Sequence, residues 1–332
     1  MRNALLRIVQ TKPRTKRDQH AFSWPAAALL ATLSACASAP QPDMSREATA
    51  DTTLELVNQM SIQALATLLG QAEAGDPVAQ DRIGLSYIQG RAVPQDYAIA
   101  QGWLERAAKQ GYAWSAFRLG FMFEDGVGAD KDLAKARRWY QRAAELGNTS
   151  AAFNLAQSYL VSPKPNNDPA AAAKWFGIAA EGGLAAAQLN LGNLYQAGNG
   201  VPQDFKMALR WYQAGADQNH PGSLLALGLL YEIGNGAEQD AERARSLYQQ
   251  AAAEGDARAL QAIGNLYEKG LGVPQNNSDA LQWFRKSADA GNWAAAGRLS
   301  RAYKFGELGL AADDKQENEW YQKYINLQAQ KR

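Results

Sequence analysis

Residue types in this chain recur with a fixed period of 36 residues, and this periodicity limits the possible folds more than any other feature. Glycine or another small residue occupies one series of positions, namely Gly84, Gly120, Ala156, Gly192, Gly228, Gly264 and Ser300. An aromatic series lies three residues further along, at Tyr87, Phe123, Tyr159, Tyr195, Tyr231, Tyr267 and Tyr303. A fixed period between about 20 and 50 residues is typical of arrays in which each unit packs on its neighbours. The chain is therefore predicted to be a stack of similar units.

Each unit is predicted to contain two helices, because helix-ending and helix-starting residues recur with the same period. A glycine, which tolerates the left-handed backbone of a helix C-terminus, ends the first helix at Gly90, Gly126, Gly198, Gly234, Gly270 and Gly306. An Asp or Asn, whose side chain caps free backbone amides, precedes the second helix at Asp96, Asp132, Asp168, Asp204, Asp240 and Asn276. Alanine and tryptophan series follow in the second helix, and small residues beside aromatic ones allow close packing. These patterns predict an all-α fold of antiparallel helix pairs.

The unit at residues 187–216 carries the consensus most fully, with Leu191-Gly192, Tyr195, Gly198-Asn199-Gly200, Asp204 and Trp211-Tyr212. This pattern resembles the Sel-one-like repeat family, a relative of the tetratricopeptide repeat. The resemblance implies a right-handed α-α superhelical solenoid with six repeats at 76–291. A half repeat at 54–75 is expected before them, and a degenerate seventh repeat with a C-terminal cap at 292–332 after them. The third unit departs from the pattern, because Ser162-Pro163-Lys164-Pro165 replaces its glycine loop.

The N-terminal segment has the features of a secretion signal. Basic residues up to Arg17 precede a short apolar stretch, Trp24 to Leu33, which is too short to span a bilayer. It ends in Leu33-Ser34-Ala35-Cys36, which resembles the lipobox of bacterial lipoproteins. The resemblance implies a signal peptide at 1–35, acylation of Cys36 (with palmitate among the chains), and a flexible tether at 36–53. Because Ala37 follows the cysteine, an outer-membrane location facing the periplasm is expected; a plain secretory signal is the alternative.

The remaining composition argues against most enzyme classes and against nucleic acid. After residue 35 the chain carries 28 basic and 32 acidic residues. It therefore lacks the excess of basic residues that is typical of proteins that bind nucleic acid. His220 is the single histidine of that part, so triads and histidine-rich metal sites are not expected, and neither are cofactors. The glutamates Glu232 and Glu268 occupy the same position in adjacent units, and a glycan hydrolase built on them is a minor alternative.

The candidate binding surface follows from the resemblance, because the first helices of tetratricopeptide arrays line the concave face. Its predicted residues are Trp114, Arg118, Phe121, Asn154, Gln157, Asn190, Asn193, Gln196, Asn265, Arg298 and Arg301. The amides in the middle offer donors and acceptors that suit an extended peptide or a polysaccharide. The expected function is a non-enzymatic scaffold or adaptor for envelope proteins. A lipoprotein that binds polysaccharide or peptidoglycan, for example in exopolysaccharide export, is the alternative; equally, these positions could be merely solvated.

Overall fold

The structure, a computed structural model, describes residues 62–161 and 167–330. Within those ranges it contains fifteen α-helices and no β-strand. In chain order they are α1 (Ile62–Glu73), α2 (Pro77–Gln89), α3 (Tyr97–Lys109), α4 (Ala113–Asp125), α5 (Leu133–Glu145), α6 (Thr149–Val161), α7 (Pro169–Glu181), α8 (Ala185–Ala197), α9 (Phe205–Ala216), α10 (Pro221–Ile233), α11 (Ala241–Ala253), α12 (Ala257–Lys269), α13 (Asn277–Asp289), α14 (Trp293–Phe305) and α15 (Asp314–Ala329). The predicted signal peptide at 1–35, Cys36, the tether at 36–53 and the loop at 162–166 lie outside the described residues.

The helices fall into two compact units, with α1 to α7 in the first and α8 to α15 in the second. In each unit, helices that are neighbours in the chain pack as antiparallel pairs, and each pair packs on the next. The pairs are α2 with α3, α4 with α5 and α6 with α7 in the first unit, and α8 with α9, α10 with α11, α12 with α13 and α14 with α15 in the second. The prediction of an all-α solenoid of paired helices is confirmed.

The glycine series lets the two helices of a pair approach closely. A Cβ atom built on Gly228 of α10 would lie 2.5 Å from a ring carbon of Tyr248 on α11. The same construction on Gly264 of α12 meets the ring of Phe284 on α13 at 2.7 Å. Both rings are fully buried, whereas Trp283, the residue before Phe284, is only half-buried. The residue after the tryptophan series therefore fills the space that each glycine leaves.

The predicted helix ends are confirmed. All six Asp and Asn residues predicted to precede a second helix accept hydrogen bonds from backbone amides of its first turn. All six predicted C-terminal glycines adopt the left-handed conformation. No helix in the described ranges has both the length and the apolar character needed to cross a bilayer.

A glutamine in the loop fixes the end of the first helix in several repeats, and the sequence patterns above did not identify it. In three consecutive repeats its side-chain amide donates to a backbone carbonyl seven residues earlier: Gln203 to Gln196 at 2.9 Å, Gln239 to Glu232 at 2.8 Å, and Gln275 to Glu268 at 2.9 Å. The bond satisfies a carbonyl that has no partner inside its own helix. It holds the last turn of α8, α10 and α12 in place.

Candidate functional site

A groove of about 680 Å³ lies in the second unit. The first helices of three consecutive repeats, α8, α10 and α12, supply nearly all of its lining. Of the residues predicted to form a binding surface, Asn193, Gln196 and Asn265 line it. The groove is therefore made of the helices that the sequence predicted to carry recognition.

The floor of the groove is an apolar stripe on α10. Leu225, Leu229 and Ile233 are spaced four residues apart and so lie on one face of the helix. Leu229 is 39% exposed and Ile233 is 55% exposed, although both are large aliphatic side chains. The opposite face of α10 packs into the core through Leu224, Leu227 and Leu230. The core contacts of α10 need only one apolar face. The second apolar face is therefore available for contact with another molecule.

Amide groups border the stripe on its α8 side. The hydroxyl of Tyr212 lies 2.7 Å from both Asn193 Oδ1 and Gln196 Oε1. Burial raises the pKa of Tyr212, so its hydroxyl keeps the single hydrogen that it donates to one amide at a time. Because the amide oxygens face Tyr212, the NH₂ groups of Asn193 and Gln196 are directed away from it.

The α12 side of the groove repeats this arrangement. The side-chain oxygen of Gln261 accepts a hydrogen bond of 2.8 Å from Asn292, which leaves the NH₂ group of Gln261 to face the groove. Half-buried Asn265 follows one turn later. Lys269, at the end of α12, is exposed and forms no ion pair with any residue that the structure describes.

The other charged groups at the groove already have partners. Glu232 accepts a hydrogen bond of 2.7 Å from the hydroxyl of Tyr248. Arg258 forms a two-pronged ion pair with Asp256, the N-cap of α12. Lys269 is thus the charged lining residue for which the described residues provide neither an ion pair nor a side-chain hydrogen bond.

His220 has a structural role at the start of α10. Its Nδ1 atom accepts a hydrogen bond of 3.2 Å from the backbone amide of Ser223 and so caps the helix. Burial lowers the pKa of His220; Asp256 opposes this effect and Arg258 adds to it. Since the cap requires an unprotonated Nδ1, the lowered pKa keeps His220 in the form that α10 needs.

In the first unit, two predicted surface residues prove to be buried, which is a correction. Arg118 is 6% exposed and lies 3.6 Å from the carboxylate of Asp81, and Phe121 is 8% exposed. Ser115 also donates to Asp81 at 2.7 Å, so the arginine belongs to a buried polar network between neighbouring repeats. Arg118 and Phe121 are therefore not available to anchor a ligand.

The other predicted residues of the first unit differ in exposure. Trp114 is half-buried and packs edge-on against Phe117, with ring centroids 5.7 Å apart. Asn154 is half-buried beside the hydroxyl of Tyr140, and Gln157 is exposed.

Asn190 lies in the second unit, but its NH₂ group donates to the carbonyl of Ala186 in its own helix at 2.7 Å. It therefore contributes less to recognition than Asn193, whose NH₂ group has no such partner among the described residues. A continuous amide surface through Asn154, Gln157, Asn190, Asn193 and Gln196 stays a prediction.

The two basic residues of α14 predicted for the binding surface, Arg298 and Arg301, differ in how far the fold engages them. Arg298 bonds Glu268 at 2.6 Å and Glu307 at 2.7 Å, and Arg301 bonds Glu307 at 3.1 Å. These ion pairs join α12 and α14 to the loop before α15. Arg298 is therefore not available to anchor a ligand, which is a correction, whereas the place of Arg301 on the binding surface, with a side chain 67% exposed, stays a prediction.

Within the described ranges, no group of three histidine, cysteine, aspartate or glutamate residues is placed to hold a metal ion. The acidic residues Glu232 and Glu268 do share one position in adjacent repeats. Each carboxylate, however, is held by its own donor, Tyr248 for Glu232 and Arg298 for Glu268.

Comparison with known proteins identifies the repeat. A family model described as Sel1 repeat matches six consecutive segments that together make up more than half of the chain: residues 77–112, 115–148, 149–184, 185–220, 221–256 and 257–292. The crystal structure of a Sel1 repeat protein from Oxalobacter formigenes is 28% identical over 79% of this chain and 99% of its own, with a TM-score of 0.58. No curated protein sequence matches the chain.

A second solved structure is c5321, a protective antigen present in uropathogenic Escherichia coli strains displaying an SLR fold. It is 31% identical over 79% of this chain, with a TM-score of 0.48. The matched region covers 64% of that protein, so this chain spans less than two thirds of its length.

Proposed function

The chain belongs to the Sel1 repeat family, and on this basis we propose that it is a non-enzymatic scaffold that binds protein partners through the groove between α8, α10 and α12. Sel1 repeats form a fold that is typical of protein–protein interaction. The observation that carries the proposal is the exposed apolar stripe of Leu225, Leu229 and Ile233. Exposed apolar residues that adjoin one another and are bordered by polar groups mark interaction sites.

The chemistry of the groove favours a polypeptide over a polysaccharide. Sugar rings carry hydroxyl groups on most carbons, and burying these hydroxyls against Leu229 and Ile233 would cost free energy because aliphatic groups offer no hydrogen bonds. The single aromatic residue in the lining, Tyr248, is 1% exposed and has its hydroxyl bonded to Glu232, so its ring offers no stacking face. Apolar side chains of a protein partner match this floor better.

The contacts of the two glutamates that could serve a hydrolase argue against that activity. Glu232 and Glu268 each hold a neighbouring side chain in place, and both contacts stabilise the repeat array. The loss of either carboxylate is therefore expected to destabilise the fold, as it would for a residue with a structural role.

We further propose that the scaffold is a lipoprotein of the bacterial envelope. The support is the sequence Leu33-Ser34-Ala35-Cys36, which resembles a lipobox. Acyl chains on Cys36 would hold the repeats at the periplasmic side of the outer membrane, and a tether of about 17 residues gives a typical reach of about 20–25 Å. Cells fed radiolabelled palmitate should then label the wild type and not a Cys36→Ser variant, and equal labelling of the two proteins would contradict the anchor.

The protein-binding function is tested by affinity capture of envelope proteins with the full chain and two matched variants. Leu229→Asp places a charge on the groove floor, whereas Leu133→Asp changes a leucine of similar exposure, 46% against 39%, on α5. We expect the first variant to lose specific partners that the wild type and the second variant retain. Equal recovery with all three proteins would refute the groove as the binding site.

A further inference from the structure

We infer that the groove binds an amphipathic α-helix of a partner protein, with acidic residues flanking the apolar face of that helix; this inference rests on the protein-binding function proposed above. Three features of the groove support it: the direction of the stripe, the excess of hydrogen-bond donors along its borders, and the ammonium group of Lys269 beside the α12 border.

The stripe runs along one helix axis. The stripe from Leu225 to Ile233 covers nine residues of α10, and the eight steps between its ends give a length of about 12 Å at 1.5 Å per residue. Side chains spaced four residues apart form a ridge, and such ridges pack into the grooves of a second helix. A partner helix of about three turns with apolar residues at positions i, i+4 and i+7 matches this length and spacing.

The borders of the groove provide mainly donors. The oxygens of Asn193 and Gln196 face Tyr212 and that of Gln261 is bonded to Asn292, so these three residues offer NH₂ groups. Glu232, which also accepts from Tyr248, is the one carboxylate among the lining residues, so acceptor groups are fewer than donor groups. An extended peptide brings its own backbone N–H groups, and several of these would stay unpaired here, which is costly when they are buried. A helix satisfies its backbone internally and presents only side chains.

The donor groups and the ammonium group of Lys269 indicate which residues flank the apolar face of the partner helix. Lys269 is exposed without an ion pair among the described residues and lies on α12, whereas Glu232 lies on α10, where it accepts from Tyr248 and keeps its negative charge. Amide NH₂ groups and an ammonium group both bind carboxylates. Glutamate or aspartate beside the apolar face of the partner helix would meet donors from α8 on one side and from α12 on the other.

Binding of synthetic peptides to the purified full chain in detergent tests the inference. The probe is a fluorescein-labelled helical peptide of about 18 residues with leucine at i, i+4, i+7 and i+11 and glutamate on both sides of that face. One control has the same composition with the leucines spread around the helix, and another has lysine in place of glutamate. By fluorescence anisotropy, the acidic amphipathic peptide should bind at least about tenfold more tightly than either control. Equal affinity for the scrambled peptide or the lysine peptide would overturn the inference.

A substitution in the protein tests the role of the donors. Gln196→Glu removes an NH₂ group but can still accept from Tyr212, as Glu232 accepts from Tyr248. The substitution should lower the affinity for the acidic peptide about tenfold and raise the affinity for the lysine peptide about tenfold. The reason is that one border of the groove then offers an acceptor in place of a donor. Gln249→Glu, the same change at an exposed position of α11 outside the groove, should alter neither affinity. Equal effects of the two substitutions would contradict the role of the donors.

Two outcomes separate this inference from the proposed function. If Leu229→Asp abolishes capture of envelope partners but the peptides bind without discrimination, the groove binds proteins and the helical, acidic partner is wrong. A peptide of residues 313–330 tests whether α15 of a second copy, which exposes Tyr321 and Ile325, is the occupant. If that peptide binds as tightly as the probe, the groove is occupied by a second copy of this chain and not by a partner protein, and the inference is wrong.

Discussion

The hydroxyl of Tyr248 on α11 donates a hydrogen bond of 2.7 Å to the carboxylate of Glu232 on α10. The same bond recurs in two other repeats, from Tyr140 to Glu124 at 2.6 Å and from Tyr212 to Gln196 at 2.7 Å. Phenylalanine replaces the tyrosine at Phe176, where Leu160 takes the position of the acceptor, and at Phe284, where Glu268 stays and binds Arg298 instead. The pair therefore joins the two helices of a repeat at the edge of the binding face.

Glu124→Gln should stabilise the protein at neutral pH. Burial raises the pKa of Glu124, the bond from Tyr140 lowers it, and Asp125 raises it further, with a net increase from 4.5. The folded state thus holds the proton more tightly, so this contribution to stability is present below about pH 4.5 and is lost as the pH rises through the folded pKa. Glutamine retains the bond, as Gln196 does with Tyr212, without the cost of burying a charge.

The measurement for Glu124→Gln is the urea midpoint of unfolding at pH 4 and pH 7. The variant should match the wild type at pH 4 and exceed it at pH 7. A difference that does not change with pH would show that the charge of Glu124 is not responsible.

His220→Asn should remove a pH dependence from α10. The folded pKa of His220 lies below 6.5, so its contribution to stability is present above pH 6.5 and is lost as the pH falls through the folded value. Asparagine caps helices without titrating in this range. Hydrogen exchange of α10 amides should accelerate between pH 7 and pH 5 in the wild type, after correction for intrinsic rates, and not in the variant. His220→Ala should cost about 1 kcal/mol at pH 7 through loss of the cap.

Gly228→Ala should destabilise the second unit by about 1–3 kcal/mol, because the new methyl group would lie 2.5 Å from the ring of Tyr248. Gly177→Ala is the matched control: this glycine lies inside α7, and no atom stands within 4 Å of an added Cβ. The control should gain about 0.5–1 kcal/mol, since alanine favours the helix over glycine. Urea unfolding measures both, and a neutral Gly228→Ala would contradict the close packing.

Arg298→Met should loosen the C-terminal helices. The change leaves Glu268 and Glu307 without their arginine and should cost about 1–3 kcal/mol, since hydrogen bonds to charged groups contribute this much. Arg301→Met is the control, because Arg301 is exposed and bonds Glu307 alone. Hydrogen exchange in α14 and α15 should increase strongly only in the first variant; equal increases would refute a specific role for Arg298.

The helix pairs were predictable from the sequence because their signals are local and repeat. The cap at Asp204 and the left-handed Gly198 act within a few residues of themselves, so their types alone indicate the helix ends. The bonds between tyrosine and glutamate could also have been found, since each of the tyrosines Tyr140, Tyr212 and Tyr248 has a Glu or Gln 16 positions earlier.

The binding face was only partly predictable, because exposure depends on which non-periodic residues meet between repeats. Arg118 is buried because Asp81, in the preceding repeat, lies opposite it, and no periodic pattern indicates this pair. Arg298 is likewise bound by two glutamates from different elements. The apolar stripe was missed for the converse reason: Leu225 and Ile233 look like core residues until the packing of α8 and α12 leaves them uncovered.

Site-specific photocrosslinking in cells tests the central claim, that the groove of the second unit is the surface of recognition. A photoreactive amino acid is placed at Leu229 or at Asn265 in the groove, and at Leu133 on α5 as the control. The account predicts discrete crosslinked protein partners from the two groove positions and none from the control position. An absence of adducts at Leu229 and Asn265, or the same adducts at Leu133, would contradict it.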